Sequence, residues 1–280
     1  PLHISGCIDT QKCHMIYGLS QAENWRIIIA ENEIRAREIY DDYRLFDKNV
    51  MYYPAKDVIF FGADIQGNAI STERLKVVDA MLKNERGTVI TTIDAGLDCI
   101  MDSQASKNAR FVIREADIVD LAELEKELVD LGYERQTQVE KPGDFSVRGG
   151  ITDIFPITME CPVRIEFFDD EVDTIRAFDV QSQRSIERME QVEITPASEM
   201  TLSEEQLKNA LLKIEKEYKK MLEKFRKDKN HDAINRLTDN VEQIKLNFDM
   251  YHGRMGLESF IKYFDISTSS FFDLFDEENS

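Results

Sequence analysis

The sequence predicts a parallel α/β domain interrupted by a smaller α+β domain with an antiparallel sheet, and followed by a helical segment. Two observations carry that fold class. Over residues 1–108, short apolar runs alternate with amphipathic stretches, and strands separated by helices of this length imply the crossovers of a parallel sheet. Over residues 109–200, alternating polar and apolar segments follow one another between Gly and Pro turns. Helical periodicity then returns over residues 201–280.

The elements follow in order. Trp25 to Ala30 (WRIIIA) is a β-rich run, and the next stretch places Ile34, Ile39 and Tyr43 at helical spacing. Val50 to Tyr53 reads as a second buried strand closed by Pro54. Ser71 opens a helix with Leu75, Val78 and Leu82 on one face, and Thr88 to Thr92 supplies a third strand. Phe111 to Ile113 is a short strand. Asp120 is placed to cap a helix ending at Gly132, with Glu123 at the capping-box position. The segments FSVRGGITDIFP, PVRIEFFDDEVDTIRAFD and VEITP build the antiparallel sheet. Ser203 with Gln206 marks another helix start, followed by Leu207, Leu211, Ile214, Tyr218 and Leu222. A last helix carries Ile234, Leu237, Val241 and Ile244.

Composition excludes several functions. The 280 residues hold 35 Lys and Arg against 54 Asp and Glu, a formal charge of −19 that repels phosphate at long range and argues against a whole-surface nucleic-acid binder. The lysines between 213 and 229 are interleaved with Glu215, Glu217 and Glu223, the pattern of a solvated helix face. Cys7, Cys13, Cys99 and Cys161 form no CxxC pair and read as reduced cytoplasmic thiols, and His14 beside Cys13 lacks partners for a metal site. No apolar run is long enough to span a bilayer, and the first residues lack the pattern of a signal peptide. The start without Met and the acidic end suggest a piece of something longer.

A phosphate-binding loop needs glycines for close backbone approach, a Lys for the terminal phosphates and a hydroxyl for Mg²⁺. Before the first helix, Gly6 and Lys12 stand in register with that motif. Gln11 replaces its second Gly, Cys13 its hydroxyl residue, and Asp9 adds a negative charge where phosphate would lie. The loop is a broken one. Asp169-Asp170-Glu171 lies between two antiparallel segments and reads as a hairpin turn rather than a Mg²⁺-holding pair. With no nucleophile elbow and no zinc-protease motif, the chain is expected not to be an enzyme by itself.

On the strand of the second domain, alternation puts Arg164, Glu166 and Phe168 on one face, with Arg148 at the lip of a Gly-Gly turn. Outward Arg and Phe have the composition of a protein-docking hot spot. The other reading makes Phe168 core and pairs the arginines with Asp169, Asp170 or Glu171.

The segment from Gly132-Tyr-Glu-Arg through Pro142-Gly-Asp-Phe-Ser-Val-Arg148-Gly-Gly-Ile-Thr-Asp153-Ile-Phe-Pro156 is specific, as are Arg164-Ile-Glu-Phe-Phe168, Phe178-Asp-Val and Ser182-Gln-Arg184. Together they resemble the UvrB-homology module of bacterial transcription-repair coupling factors, the Mfd family. The decayed phosphate loop, and the lack of a DExH-type box, distinguish the chain from UvrB itself. The resemblance implies a degenerate RecA-like domain 1a (1–108), an inserted UvrA-binding domain 2 (109–200), and a domain 1b completing the first (201–280). It implies a non-catalytic recruitment module whose docking positions fall on Arg148, Arg164 and Phe168, with Glu166 and Arg176 as rim neighbours.

In that family the full protein displaces stalled RNA polymerase with a separate C-terminal ATP-driven translocase and recruits UvrA for nucleotide excision repair. ATP, RNA polymerase and DNA would therefore engage domains outside these residues, and the partners expected here are UvrA and other domains of the same full-length chain, in a bacterial cytoplasm and at no membrane. The competing expectation is a helicase-like nucleotide-binding domain closer to UvrB, cut before its second motor lobe, with Gly6, Lys12 and Cys13 as its residual loop.

Overall fold

A computed structural model describes residues 5–20, 24–55, 64–83, 86–101, 103–199, 204–227, 234–235, 237–239, 241–242, 263–264 and 266–275. The chain divides into two compact units, 1–108 with 268–280, and 109–267. Thus 201–267 groups with the second unit, and only 268–280 returns to the first.

In the first unit, α1 (Asp9–Leu19) precedes β1 (Trp25–Ala30), α2 (Glu33–Tyr43), β2 (Val50–Tyr53), α3 (Asp64–Leu82), β3 (Gly87–Thr92), α4 (Ile93–Leu97), β4 (Cys99–Met101) and α5 (Ser103–Asn108). β3 lies between β1 and β2, parallel to both, as the crossovers dictate. All six of its residues are buried, the signature of a central strand covered on both faces. α2 starts where the Asn32 side chain accepts from the Arg35 N–H at 2.8 Å. It buries Ala36 and Tyr43, whereas Ile34, expected on the packed face, is 76% exposed. α3 begins at Asp64, one to two turns before the expected Ser71, and buries Leu75, Val77, Val78 and Met81. Arg74 on the same helix is fully buried. It donates to the Pro54 carbonyl at 2.6 Å, pairs with Asp98 at 3.1 Å and lies 4.2 Å from the Tyr53 ring centroid.

In the second unit, β5 (Phe111–Arg114) leads to α6 (Leu121–Asp130), then β6 (Glu134–Arg135), β7 (Asp144–Arg148), β8 (Ile151–Ile154), β9 (Val163–Phe168), β10 (Glu171–Phe178), β11 (Ser185–Met189), β12 (Gln191–Ile194) and α7 (Glu204–Lys227). Asp120 caps α6 by accepting from the Ala122 and Glu123 amides at 2.8 and 3.2 Å. The main sheet runs β11-β10-β9-β8-β7-β6, antiparallel throughout except between β6 and β7. β5 pairs separately with β12. One face of the sheet buries Phe145, Ile154, Val163, Ile165, Val172 and Ile175 in a core shared with Leu124 and Leu128 of α6. α7 buries Leu207, Ala210 and Ile214. The last predicted helix is helical at 234–235, 237–239 and 241–242, with Val241 buried; Ser203 and Ile244 lie outside the described residues.

β13 (Thr268–Ser270) pairs antiparallel with β4 in the first unit, and a 3-10 turn, Phe271–Phe275, follows it. Phe271 is fully buried and stacks on Tyr53 with ring centroids 3.8 Å apart.

Candidate functional site

Two tight turns aim the site residues. Arg148 and Ile151 are cross-strand partners, leaving Gly149-Gly150 as a two-residue hairpin loop in which Gly149 takes φ +60°. Phe168 pairs with Glu171 in the same way across Asp169-Asp170, with Asp169 at φ +61°. The acidic string is therefore a hairpin turn.

Strand alternation then sets the outer face of the sheet. In register, Asp153 of β8 faces Arg164 of β9, and Ile151 faces Glu166. Arg148, Arg164, Glu166 and Phe168 consequently share the surface opposite the core. Phe168 is 79% exposed, so it is no part of the core. The loop after β5 adds a second apolar group: Ile118 bridges to Glu171 and is 67% exposed, which places it on the far side of Glu171 from Phe168.

The arginines pair with none of Asp169, Asp170 and Glu171. Their acceptor is Asp153, only 1% exposed. Arg164 donates to it through a fork, Nε to Oδ1 at 2.7 Å and Nη2 to Oδ2 at 2.8 Å, while Arg148 Nη2 reaches Oδ2 at 2.5 Å. One carboxylate thus serves two guanidinium groups. Its hydrogen bonding raises Arg164 above the ordinary guanidinium pKa, outweighing partial burial, which lowers it. Arg164 lies 4.4 Å from the centroid of the Phe178 ring, and Nη2 also donates to Gln183 Oε1 at 2.9 Å. The Arg164 side chain is about one-fifth exposed and that of Arg148 about half. Glu166 accepts from Arg176 and, at 3.1 Å, from Thr174 Oγ1.

Asp153, Phe178 and Gln183 lie in the segments that carry the family resemblance, and the sequence pattern alone gives them no role. The signal for Asp153 is a lone acid inside the strand ITDI. Its pairing with Arg164 becomes readable only once the register of β8 and β9 is fixed.

The phosphate-loop residues are arranged otherwise. Gly6 has φ +80°, but α1 already begins at Asp9, so Gln11, Lys12 and Cys13 are helical. The Gln11 side chain accepts from the Ile8 N–H at 3.4 Å, closing over the helix start. Lys12 is exposed. Cys13 is 2% exposed and packs with Ala30, Ala36, Tyr43, Val50 and Ile90. Gly6, Lys12 and Cys13 thus do not converge on one point. Among the described residues, no cluster of three or more His, Cys, Asp or Glu could hold a metal ion, and no helix is long and apolar enough to cross a membrane.

Residues 111–200, which contain the whole outer face just described, match the family model for the UvrB interaction domain. A transcription-repair-coupling factor of Bacillus subtilis (strain 168) is 34% identical over 209 residues, 74% of this chain and 18% of that protein. Its counterpart in Staphylococcus aureus (strain bovine RF122 / ET3-1) is 29% identical over 278 residues, 98% of this chain and 23% of that protein. The chain is homologous to the transcription-repair-coupling factors. It spans about a fifth of the length of these relatives. Within the chain, the matched interaction domain coincides with the strands that carry Arg148, Arg164 and Phe168.

Proposed function

We propose that this chain is the recruitment module of a bacterial transcription-repair-coupling factor and that residues 111–200 dock UvrA. The observation that carries the reading is the pair of guanidinium groups on Asp153 that share one sheet face with a Phe168 side chain 79% exposed, all inside the match to an interaction domain. A large aromatic left in water on the same face as directed cationic donors is the composition of a binding hot spot. Arg148 and Arg164 meet carboxylates of UvrA around Phe168 as the apolar anchor. Displacement of stalled RNA polymerase, DNA translocation and ATP use belong to other parts of the full-length protein.

The first unit is a degenerate RecA-like domain in this reading and plays no catalytic part. The three-stranded parallel sheet and the broken loop support that role: Gln11 stands where the motif has its second Gly, and a buried Cys13 stands where it has a hydroxyl for Mg²⁺.

Calorimetric titration of UvrA into the chain tests the proposal, with a folded Arg148→Ala/Arg164→Ala/Phe168→Ala variant beside it. Binding by the wild type that the variant loses is the expected result. Binding by neither, or equal binding by both, overturns it.

A further inference from the structure

Arg164 is restrained in a way that reaches beyond charge pairing. Its Nε and Nη2 fork onto Asp153, its Nη2 also donates to Gln183 Oε1, and Phe178 lies against the guanidinium plane. Of the five guanidinium N–H groups, three are committed. Both hydrogens on Nη1 have no hydrogen-bond partner among the described residues.

The Gln183 end of this clamp is itself built with care. Gln183 is one of three non-glycine residues with positive φ among the described residues, at +58°, a conformation that L-residues adopt only when the surroundings impose it. The imposing structure is the 179–184 turn. Asp179 Oδ1 accepts from the Ser182 N–H at 2.8 Å and from its Oγ at 2.7 Å, and the Gln183 N–H donates to the Asp179 carbonyl at 2.8 Å. Gln183 Nε2 donates to the Val180 carbonyl at 2.8 Å, which fixes the amide orientation and turns Oε1 toward Arg164. A backbone strain is thus maintained whose visible product is one acceptor aimed at one arginine.

We propose that Asp153 and Gln183 are positioning residues of the docking face. They fix the Arg164 guanidinium so that its Nη1 edge alone is presented, beside the half-exposed Arg148 that shares Asp153 Oδ2. The partner group this edge takes is a carboxylate, met by a donor that has already lost its rotational freedom. Ordering a long side chain on binding costs about 0.5–1.5 kcal/mol, equivalent to as much as a tenfold change in affinity, and the clamp removes that cost beforehand. The inference rests on Arg148, Arg164 and Phe168 forming the UvrA-docking face.

The test combines two readouts on the full chain. Nitrogen-15 spectra of the arginine side chains report the clamp without any partner, and titration with UvrA reports its use. In the wild type, the Arg164 Nη resonances are expected to be resolved by slow guanidinium rotation. Gln183→Gly removes the acceptor and relieves the positive φ. It should melt at or above the wild-type temperature, collapse the resolved Nη signals and weaken UvrA binding up to tenfold. Gln183→Glu, which keeps an acceptor, restores the signals and most of the affinity. Asp153→Asn lowers affinity further and melts lower, because it breaks the fork.

Unchanged affinity in Gln183→Gly, with wild-type binding intact, overturns the positioning role alone. A wild-type chain with resolved Nη signals that fails to bind UvrA overturns the docking reading, and the positioning role falls with it.

Discussion

Arg164 and Arg176 stand directly opposite each other across β9 and β10, and Arg176 in turn faces Arg188 on β11. Like charges at paired positions repel. The sheet tolerates the row because each arginine has its own acid: Asp153 for Arg164, Glu166 for Arg176, and Glu115, 2.9 Å away, for Arg188. The hydrogen bond to Arg188 holds Glu115 below the ordinary carboxylate pKa, and the same bond raises Arg188. A row of arginines, each ion-paired, is therefore held on the sheet of a chain whose net charge is −19.

Phe168→Ala separates docking from stability. The side chain is 79% exposed, so thermal unfolding should shift by no more than about 0.5 kcal/mol. UvrA affinity should fall by about 2 kcal/mol or more, as truncation of a hot-spot aromatic does. Paired melting curves and titrations check both halves; a large loss of stability would show that the ring belongs to the fold.

The outer face was legible in the sequence because strand alternation is rigid: Arg164, Glu166 and Phe168 sit two residues apart, and the sheet keeps them on one side. Helix faces were less legible. Ile34 fits the periodicity of α2 yet is exposed, since a helix covering a small sheet buries a narrow stripe, here Ala36 and Tyr43. The residues of α3 before Ser71 include Gly67 and show no apolar period, so its start was hidden. Aromatic-rich 271–275 looks from its acidic neighbourhood like part of a tail, and only the tertiary fold reveals its place against Tyr53.

Asp144 gives a pH dependence. Burial raises its pKa above the ordinary carboxylate value, against the Glu140 and Lys141 amides, which donate to Oδ2 and lower it. Oδ1 has no hydrogen-bond partner among the described residues. The folded state therefore holds this proton to higher pH than the unfolded chain does. The resulting stability is fully present below the ordinary carboxylate pKa of about 4 and is lost as pH rises through the raised value. Urea unfolding of wild type beside Asp144→Asn should show the wild type's relative stability declining from pH 4 to pH 7. A difference independent of pH would mean that the carboxyl titrates normally.

Restoring the phosphate-loop letters should not restore the loop. Gln11→Gly with Cys13→Thr rewrites residues 6–13 to the full motif. It also places a hydroxyl in the packed site of Cys13, at a cost of about 1–3 kcal/mol. Scanning calorimetry should find a lower Tm that magnesium-ATP does not raise; a nucleotide-dependent rise would revive the helicase-like alternative.

Phe271→Ala should destabilise the first unit by about 3–5 kcal/mol, because the ring is fully buried and stacked on Tyr53. UvrA affinity should be unchanged, since the outer face belongs to the second unit. Hydrogen exchange resolved by segment checks the division: protection lost in β1–β3 and kept in β7–β10.

The return of β13 and Phe271 to the first unit also sets an order of events at the ribosome. The β7–β11 meander joins strands that are neighbours in sequence, so it can close as soon as it is synthesised. The first unit begins earlier yet finishes last, because its core waits for a ring 218 positions after Tyr53. During that interval its apolar strands stand incomplete, while the antiparallel sheet of the second unit is already closed.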